Sequence, residues 1–275
     1  MINLLNIAKT RQKYSRINDS RTLALTRQGP VYVVFTGDWH LGAPGTDYEL
    51  FEKDLKVLAH AKQVLGENLV IVGMGDYVDG YTTKGPKLEH DQVLSPWEQR
   101  MAAKQALETL QPDLVLIGDH DFWLSGGEDG YNWLHDWSME NKVPYAEWGG
   151  ELEIWTGEIV WRILVRHRYK GGVNGLDHLK PHKNLFTEGG PAHAVVLAHF
   201  HTKAGVYRIN PVRNNEGRYW GIQTGTYKLH DTYGKKISSG IAEYGVPALV
   251  LTKNEILAYD HYLEALPKKL WSKRG

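Results

Sequence analysis

The sequence predicts an α/β fold built on a parallel β-sheet, with a second, mixed sheet from the later half of the chain. Three observations carry this expectation. Short apolar runs rich in Val and Ile recur early, and each ends abruptly in a polar cluster. Stretches of helical period separate those runs. Beyond Gly150 the pattern changes to closely spaced strands with turn residues between them.

The first run is Val31–Thr36, followed by Gly37-Asp38-Trp39-His40; the second is Leu69–Val72, followed by Gly73-Met74-Gly75-Asp76. The third is Leu114–Ile117, followed by Gly118-Asp119-His120-Asp121. Unbroken apolar runs of this length suit strands buried on both faces. Between them, Tyr48–Leu65 places Leu50, Phe51, Leu55 and Leu58 at helical spacing, and Trp97–Leu110 reads as a second helix. Strands alternating with helices imply parallel pairing through right-handed crossovers. Polar residues at the carboxyl ends of such strands stand where open α/β sheets put their sites.

Later, Glu151–Trp155, Glu158–His167, Ala194–Ala198, Val206–Ile209, Arg218–Ile222, Ala248–Thr252 and Glu255–Tyr259 read as strands, the last two joined by a hairpin at Asn254. Close spacing of this kind indicates mixed or antiparallel pairing. Gly80–Ser95, Arg168–Pro191 and Thr226–Gly240 read as surface insertions. Residues 1–30 carry Lys9, Arg11, Lys13, Arg16, Arg21 and Arg27 against Asp19 alone, and read as a basic arm or helix ahead of a single domain spanning 31–275. Such an arm suits nucleic acid; a helix there would pack Leu4, Leu5 and Ile7 on the body.

Composition narrows the function. Of 275 residues, 42% are hydrophobic and 23% charged, which is ordinary for a globular chain and excludes wholesale disorder. Basic and acidic residues balance at 32 each, so no global field points to nucleic acid or membrane. The absence of cysteine excludes disulfides, thiolate metal sites, iron–sulfur clusters and a cysteine nucleophile. No run approaches the roughly 20 apolar residues of a membrane span. The N-terminus does not read as a signal peptide, so the expected location is cytoplasmic, with no membrane partner.

The strand-end clusters, taken with His167 and His199-x-His201, offer carboxylate oxygen and imidazole nitrogen without sulfur. That set suits Mn²⁺, Fe, Zn²⁺ or Mg²⁺. On an extended strand exit, residues two apart point the same way, so Asp38 with His40, and His199 with His201, would converge. A carboxylate such as Asp76 would bridge two cations.

In order, the blocks are DWH (38–40), GDYVD (75–79), GDHD (118–121), His167 and AHFH (198–201). The set resembles the calcineurin-like metallophosphoesterase family, whose pattern is D-x-H, G-D-x-x-D, G-N-H-[DE], H and G-H-x-H. The resemblance implies a four-layer sandwich, two mixed β-sheets flanked by helices, and two divalent metal ions. Manganese is the expected metal, with iron, zinc, magnesium and nickel as alternatives. Asp38, His40 and His201 would hold the first metal, Asp76 would bridge, and Asp119, His167 and His199 would complete the second. A metal-bridging hydroxide would attack phosphorus, and His120 would protonate the leaving group. Asp121 would accept from the other nitrogen of His120 and set its tautomer. Asp79 would support the ligands without joining them.

The sequence departs from that pattern at Ala198, where the family has Gly, and at Asp119, where it has Asn. An ionised Asp offers oxygens only, whereas Asn also offers an N–H. Three carboxylates and a hydroxide would cancel two divalent cations, which disfavours dianionic monoesters and favours monoanionic diesters. Further candidates for substrate contact are Trp39 and Trp123, as stacking faces or as packing, His178 and His182, and Arg168. Arg168 stands in a basic loop with Arg166, Lys170, Lys180 and Lys183. The expected activity is hydrolysis of phosphodiesters of nucleotides or nucleic acid. The alternatives are a phosphomonoesterase for a small metabolite, nucleotide or phosphoprotein, and a catalytically weak member serving as a protein scaffold.

Overall fold

A computed structural model describes residues 21–80, 92–125, 132–147, 149–171, 177–210, 218–229 and 241–270. The apolar runs become the central strands of two six-stranded sheets. The first sheet contains β2 (Val31–Thr36), β3 (Leu69–Gly73), β4 (Leu114–Leu116) and β5 (Tyr145–Ala146), all parallel. The hairpin of β11 (Ala248–Leu251) and β12 (Ile256–Tyr259) adds antiparallel strands beside β2. The second sheet runs β1 (Arg21–Arg27), β6 (Gly150–Thr156), β7 (Ile159–Arg166), β8 (Ala194–Leu197), β10 (Tyr219–Gln223) and β9 (Gly205–Ile209). Its pairing is mixed: β6 with β7 and β9 with β10 are antiparallel, the other pairs parallel.

The helices follow from local signals. In α1 (Tyr48–Leu65) the Asp47 carboxylate caps the N-terminus by accepting from Leu50 N at 2.9 Å, and Gly66 ends the helix at a positive φ of 56°, which glycine adopts without a Cβ clash. Ser95 and Glu98 form a reciprocal capping box at α2 (Pro96–Leu110), which has Pro at its first position. Short helices α3 (Asp119–Ser125) and α4 (Trp133–Asn141) follow β4, α5 (Lys180–Gly189) follows β7, and α6 (Tyr262–Ala265) follows β12.

Four layers result. Val33, Phe35, Val70, Val72, Ile163 and Val196 belong to the core between the two sheets, and each such side chain contributes roughly 1.5–3 kcal/mol on burial. Helices α1, α2 and α4 cover the outer face of the first sheet through Leu58, Leu107 and Trp137. Leu185 and Phe186 of α5 cover the second, with Phe186 stacked on Tyr219 at 4.0 Å between ring centroids. Among the described residues no helix is long and apolar enough to cross a membrane.

Three expectations change. Arg21–Arg27 is not arm or helix but an edge strand, because its alternating pattern pairs residue by residue with β6. Residues 1–20 of that arm lie outside the described residues, as do 81–91 and 230–240 of two expected insertions. The stretch 168–191 is no mere surface insertion, since it contains α5 and its apolar face. Thr226–Lys228 is likewise buried.

Candidate metal centre

Parallel register brings the clusters together. Thr36 of β2 lies opposite Gly73 of β3, so the chains leaving both strands emerge side by side. They stay paired: Asp38 N donates to Gly75 O at 2.8 Å and His40 N to Asp76 O at 3.0 Å. Arg166 of β7 lies opposite Leu197 of β8, and Ala198 N donates to His167 O at 3.0 Å. Asp38 (φ 49°), His40 (48°), Asp76 (53°) and His199 (72°) all adopt left-handed backbone. Each such residue costs of order 1–3 kcal/mol and persists only where its surroundings over-determine it. The convergence therefore comes from left-handed turns at the strand ends, not from the two-residue alternation of an extended exit. Glycine permits the approach. At Gly75 (φ 92°) a Cβ would lie 2.6 Å from Gly118 N, and at Gly118 it would overlap the backbone N and the carboxylate of Asp76.

Two triads form. Ligand atoms of Asp38, His40 and His201 lie within 4.8 Å of one another, as do those of Asp76, His167 and His199. His40 Nε2 is 3.3 Å from His201 Nε2, which is 3.2 Å from Asp38 Oδ1. Asp76 Oδ2 stands 3.2 Å from His167 Nε2 and 3.9 Å from His40 Nε2, so a single oxygen faces both triads. Asp119 Oδ2 is 3.4 Å from His199 Nδ1. The ring tautomers suit cations. His167 Nδ1 donates to the Met74 carbonyl at 2.8 Å and His40 Nδ1 donates to Asp79 Oδ1 at 3.0 Å. Each arrangement turns Nε2 toward the carboxylates, the atom on which a cation would take the place of a proton. His167 Nε2 and Asp119 Oδ2 are buried and accept no hydrogen bond within the described chain. Carboxylate oxygens and imidazole nitrogens crowded together in this way fit divalent cations.

The electrostatics show the charge that a cation would replace. Burial works against charge on Asp38 and Asp76, yet His201 and His167 respectively hold the two carboxyls below their usual range. Burial likewise opposes charge on His167, but the adjacent Asp76 carboxylate pushes it up to about 10. Burial, with His120 next, pushes His40 down to about 4.

His120 stands at the edge of this group. Its backbone N–H donates to Asp76 Oδ1 at 2.8 Å, and its ring centroid is 4.5 Å from that of His40 and 4.4 Å from that of Trp123. Its Nδ1 is in hydrogen-bond contact with the Asp79 carbonyl, which fixes the tautomer. Asp121 does not perform that task. Its carboxylate accepts from Tyr77 N at 3.0 Å, Val78 N at 3.3 Å and Gly118 N at 3.0 Å, so it ties the two strand-end loops together. Burial, then Asp76, pushes it up to about 7.

The candidate substrate contacts separate. Trp39 is fully buried against Phe51 and Tyr77 and donates to Thr36 Oγ1 at 2.9 Å, so it is core. His182 lies on the buried face of α5 and donates to the Ile222 carbonyl at 2.9 Å; His178 packs on Tyr207 of edge strand β9. Both serve the packing of α5 on its sheet. Trp123 stands partly exposed beside His120. Of the basic loop, Lys170 pairs with Glu188 and Lys183 with Asp177, whereas Arg168 reaches Asp119 Oδ2 at 3.0 Å.

Sequence reading passed over the segment after β10. Thr226 Oγ1 and Tyr227 N both donate to the Asp38 carbonyl, at 2.8 and 3.1 Å, and Thr224 Oγ1 donates to Asp38 Oδ2 at 3.4 Å. Lys228, 2% exposed, places Nζ 3.0 Å from Asp79 Oδ1. Tyr227 in turn joins Tyr244 and Tyr262 in donating to the buried carboxylate of Asp54 on α1. A signal existed: Tyr219–Gln223 ends in Thr224-Gly225-Thr226, the strand-then-polar-cluster pattern of the other blocks.

Residues 31–237 match the family model described as calcineurin-like phosphoesterase. No curated protein sequence matches the chain. Among solved structures, the chain is similar to the NAD nucleotidase of Haemophilus influenzae, with 10% identity, a TM-score of 0.42 and coverage of 84% of this chain. It spans only 48% of that protein's length. It is also similar to the calcineurin-like phosphoesterase YfkN of Bacillus subtilis, at 11% identity and a TM-score of 0.42, covering 88% of this chain and 93% of that one.

Proposed function

Because the chain belongs to the calcineurin-like phosphoesterase family and is a metal-dependent phosphoric ester hydrolase, we propose that it hydrolyses phosphodiesters of nucleotides or nucleic acid. The carrying observation is the pair of triads, Asp38/His40/His201 and Asp76/His167/His199, faced by one oxygen of Asp76. When bound there, two divalent cations, manganese in our reading, supply an activated water and neutralise charge on the phosphoryl oxygens.

The chain's own residues do the rest. Asp79 and the Met74 carbonyl orient His40 and His167. His120, held through Nδ1 by the Asp79 carbonyl, would act as an acid from Nε2, giving the departing oxygen the second proton of a doubly protonated ring. Trp123 offers a partly exposed aromatic face beside that acid, suited to a nucleobase on the leaving group. This flat surface favours a nucleotide substrate. The basic N-terminal stretch is the proposed contact for a longer nucleic acid, and the cytoplasm the proposed location.

With Mn²⁺ added, bis-p-nitrophenyl phosphate should turn over faster than p-nitrophenyl phosphate. The opposite order identifies a monoesterase, and inactivity toward both, without metal by elemental analysis, identifies a scaffold. Trp123→Ala should raise KM for dinucleotides more than for bis-p-nitrophenyl phosphate. His120→Ala should slow diesters with poor leaving groups more than those with good ones; equal losses count against its acid role.

A further inference from the structure

Arg168 directly follows His167, so the end of β7 that aims a candidate ligand also places a guanidinium at the rim of the centre. Its Nη1 is 3.0 Å from Asp119 Oδ2, the oxygen that also stands 3.4 Å from His199 Nδ1. The pair spans inside and outside: the Asp119 side chain is 14% exposed and that of Arg168 58%. That oxygen accepts no aligned hydrogen bond, so the guanidinium is held by charge and contact alone. An ion pair this exposed is weak, and a stronger charge on either side displaces one member. Arginine carries five N–H donors in a planar fork matched to phosphate oxygens, and the Asp119 contact engages one nitrogen.

We propose that Asp119 is shared between the Asp76/His167/His199 triad and Arg168, so that a cation taken up at the triad draws on Asp119 and frees Arg168 to bind the substrate's anionic oxygens. The inference rests on the metal-centre reading above. It also revises the charge arithmetic drawn from sequence. The negative charge that Asp119 adds is matched by Arg168, so the site keeps its attraction for phosphate, with the donor moved from the position-119 side chain to the guanidinium. Arg168 thus becomes the specificity residue for phosphoryl charge, and Asp119 the residue that couples it to metal occupancy.

Calorimetric titration with Mn²⁺ alone, then with inorganic phosphate on the manganese-loaded protein, tests this in wild type, R168A, R168K, D119N and D119N/R168A. Removing the competing cation in R168A should tighten Mn²⁺ binding about three- to tenfold. It should also weaken phosphate binding about tenfold or more, with R168K retaining part of it. In the D119N background the same Arg168→Ala change should leave Mn²⁺ affinity unaltered, since the shared carboxylate is gone. The inference is overturned if R168A matches wild type for both probes, or if its effect on Mn²⁺ is the same with and without D119N. Failure of wild type itself to bind Mn²⁺ overturns the metal-centre reading, and this inference with it.

Discussion

Lys228 Nζ lies 3.0 Å from Asp79 Oδ1, the same oxygen that receives the Nδ1–H of His40. The three groups are nearly inaccessible to solvent and form one chain from a buried cation to a candidate metal ligand. Burial opposes the charge on Asp79, yet its bond to His40 and the Lys228 ammonium hold it ionised, far below the usual carboxylate range. Lys228→Met leaves that carboxylate without its cation, at a cost of about 3 kcal/mol in urea unfolding. Supports of this kind are worth roughly 10–100-fold in metal affinity, so Mn²⁺ binding should weaken on that scale. A variant with wild-type stability and wild-type Mn²⁺ affinity would show that Lys228 positions nothing.

A second support is Asp54, which accepts from Tyr227 at 2.8 Å, from Tyr262 at 2.7 Å and from Tyr244. It fastens the segment touching Asp38 to helix α1. Asp54→Ala leaves three phenols without their acceptor and should cost about 3–5 kcal/mol, against about 1–2 for Tyr227→Phe. Near-equal midpoints in urea for the two variants would refute the hub.

Gly118 packs where a Cβ would overlap Asp76. Gly118→Ala should keep its far-ultraviolet circular dichroism while losing at least about tenfold in Mn²⁺ affinity, because Asp76 must move by a fraction of an ångström. Undiminished binding would mean that Asp76 needs no such placement.

His182 gives a pH dependence remote from the triads. Burial pushes it down to about 4, against roughly 6.5 in an unfolded chain. Between those values the unfolded chain takes up a proton that the folded chain refuses, so stability falls as pH drops through the window. The slope from this group is about 1.4 kcal/mol per pH unit, or ~3 kcal/mol in all. In urea melts between pH 4.5 and 7, His182→Gln should lose that slope relative to wild type; parallel profiles would defeat it.

Much of the architecture is legible in the amino-acid sequence. Runs such as Leu69–Val72 can be buried on both faces only inside a covered sheet, and polar residues directly after them must stand at the sheet's end. Arg21–Arg27 was not legible, because an edge strand needs a partner, β6, that lies more than 120 residues away. The seven candidate ligands are recognisable as residue types in order, but they converge through left-handed turns and not through the alternation of an extended strand. Backbone of the left-handed kind at Asp38, His40, Asp76 and His199 has no marker in those side chains.

By itself, then, the amino-acid order determined the strands, their parallel core and the supply of oxygen and nitrogen donors, since burial periodicity and side-chain chemistry are local properties. Only the tertiary structure decided who supports whom. Asp121 serves backbone N–H groups instead of His120, Trp39 belongs to the core, and Lys228 and Arg168 take up carboxylates 149 and 49 residues distant. Such partnerships depend on which loops the two sheets bring into contact, and no local pattern encodes that distance.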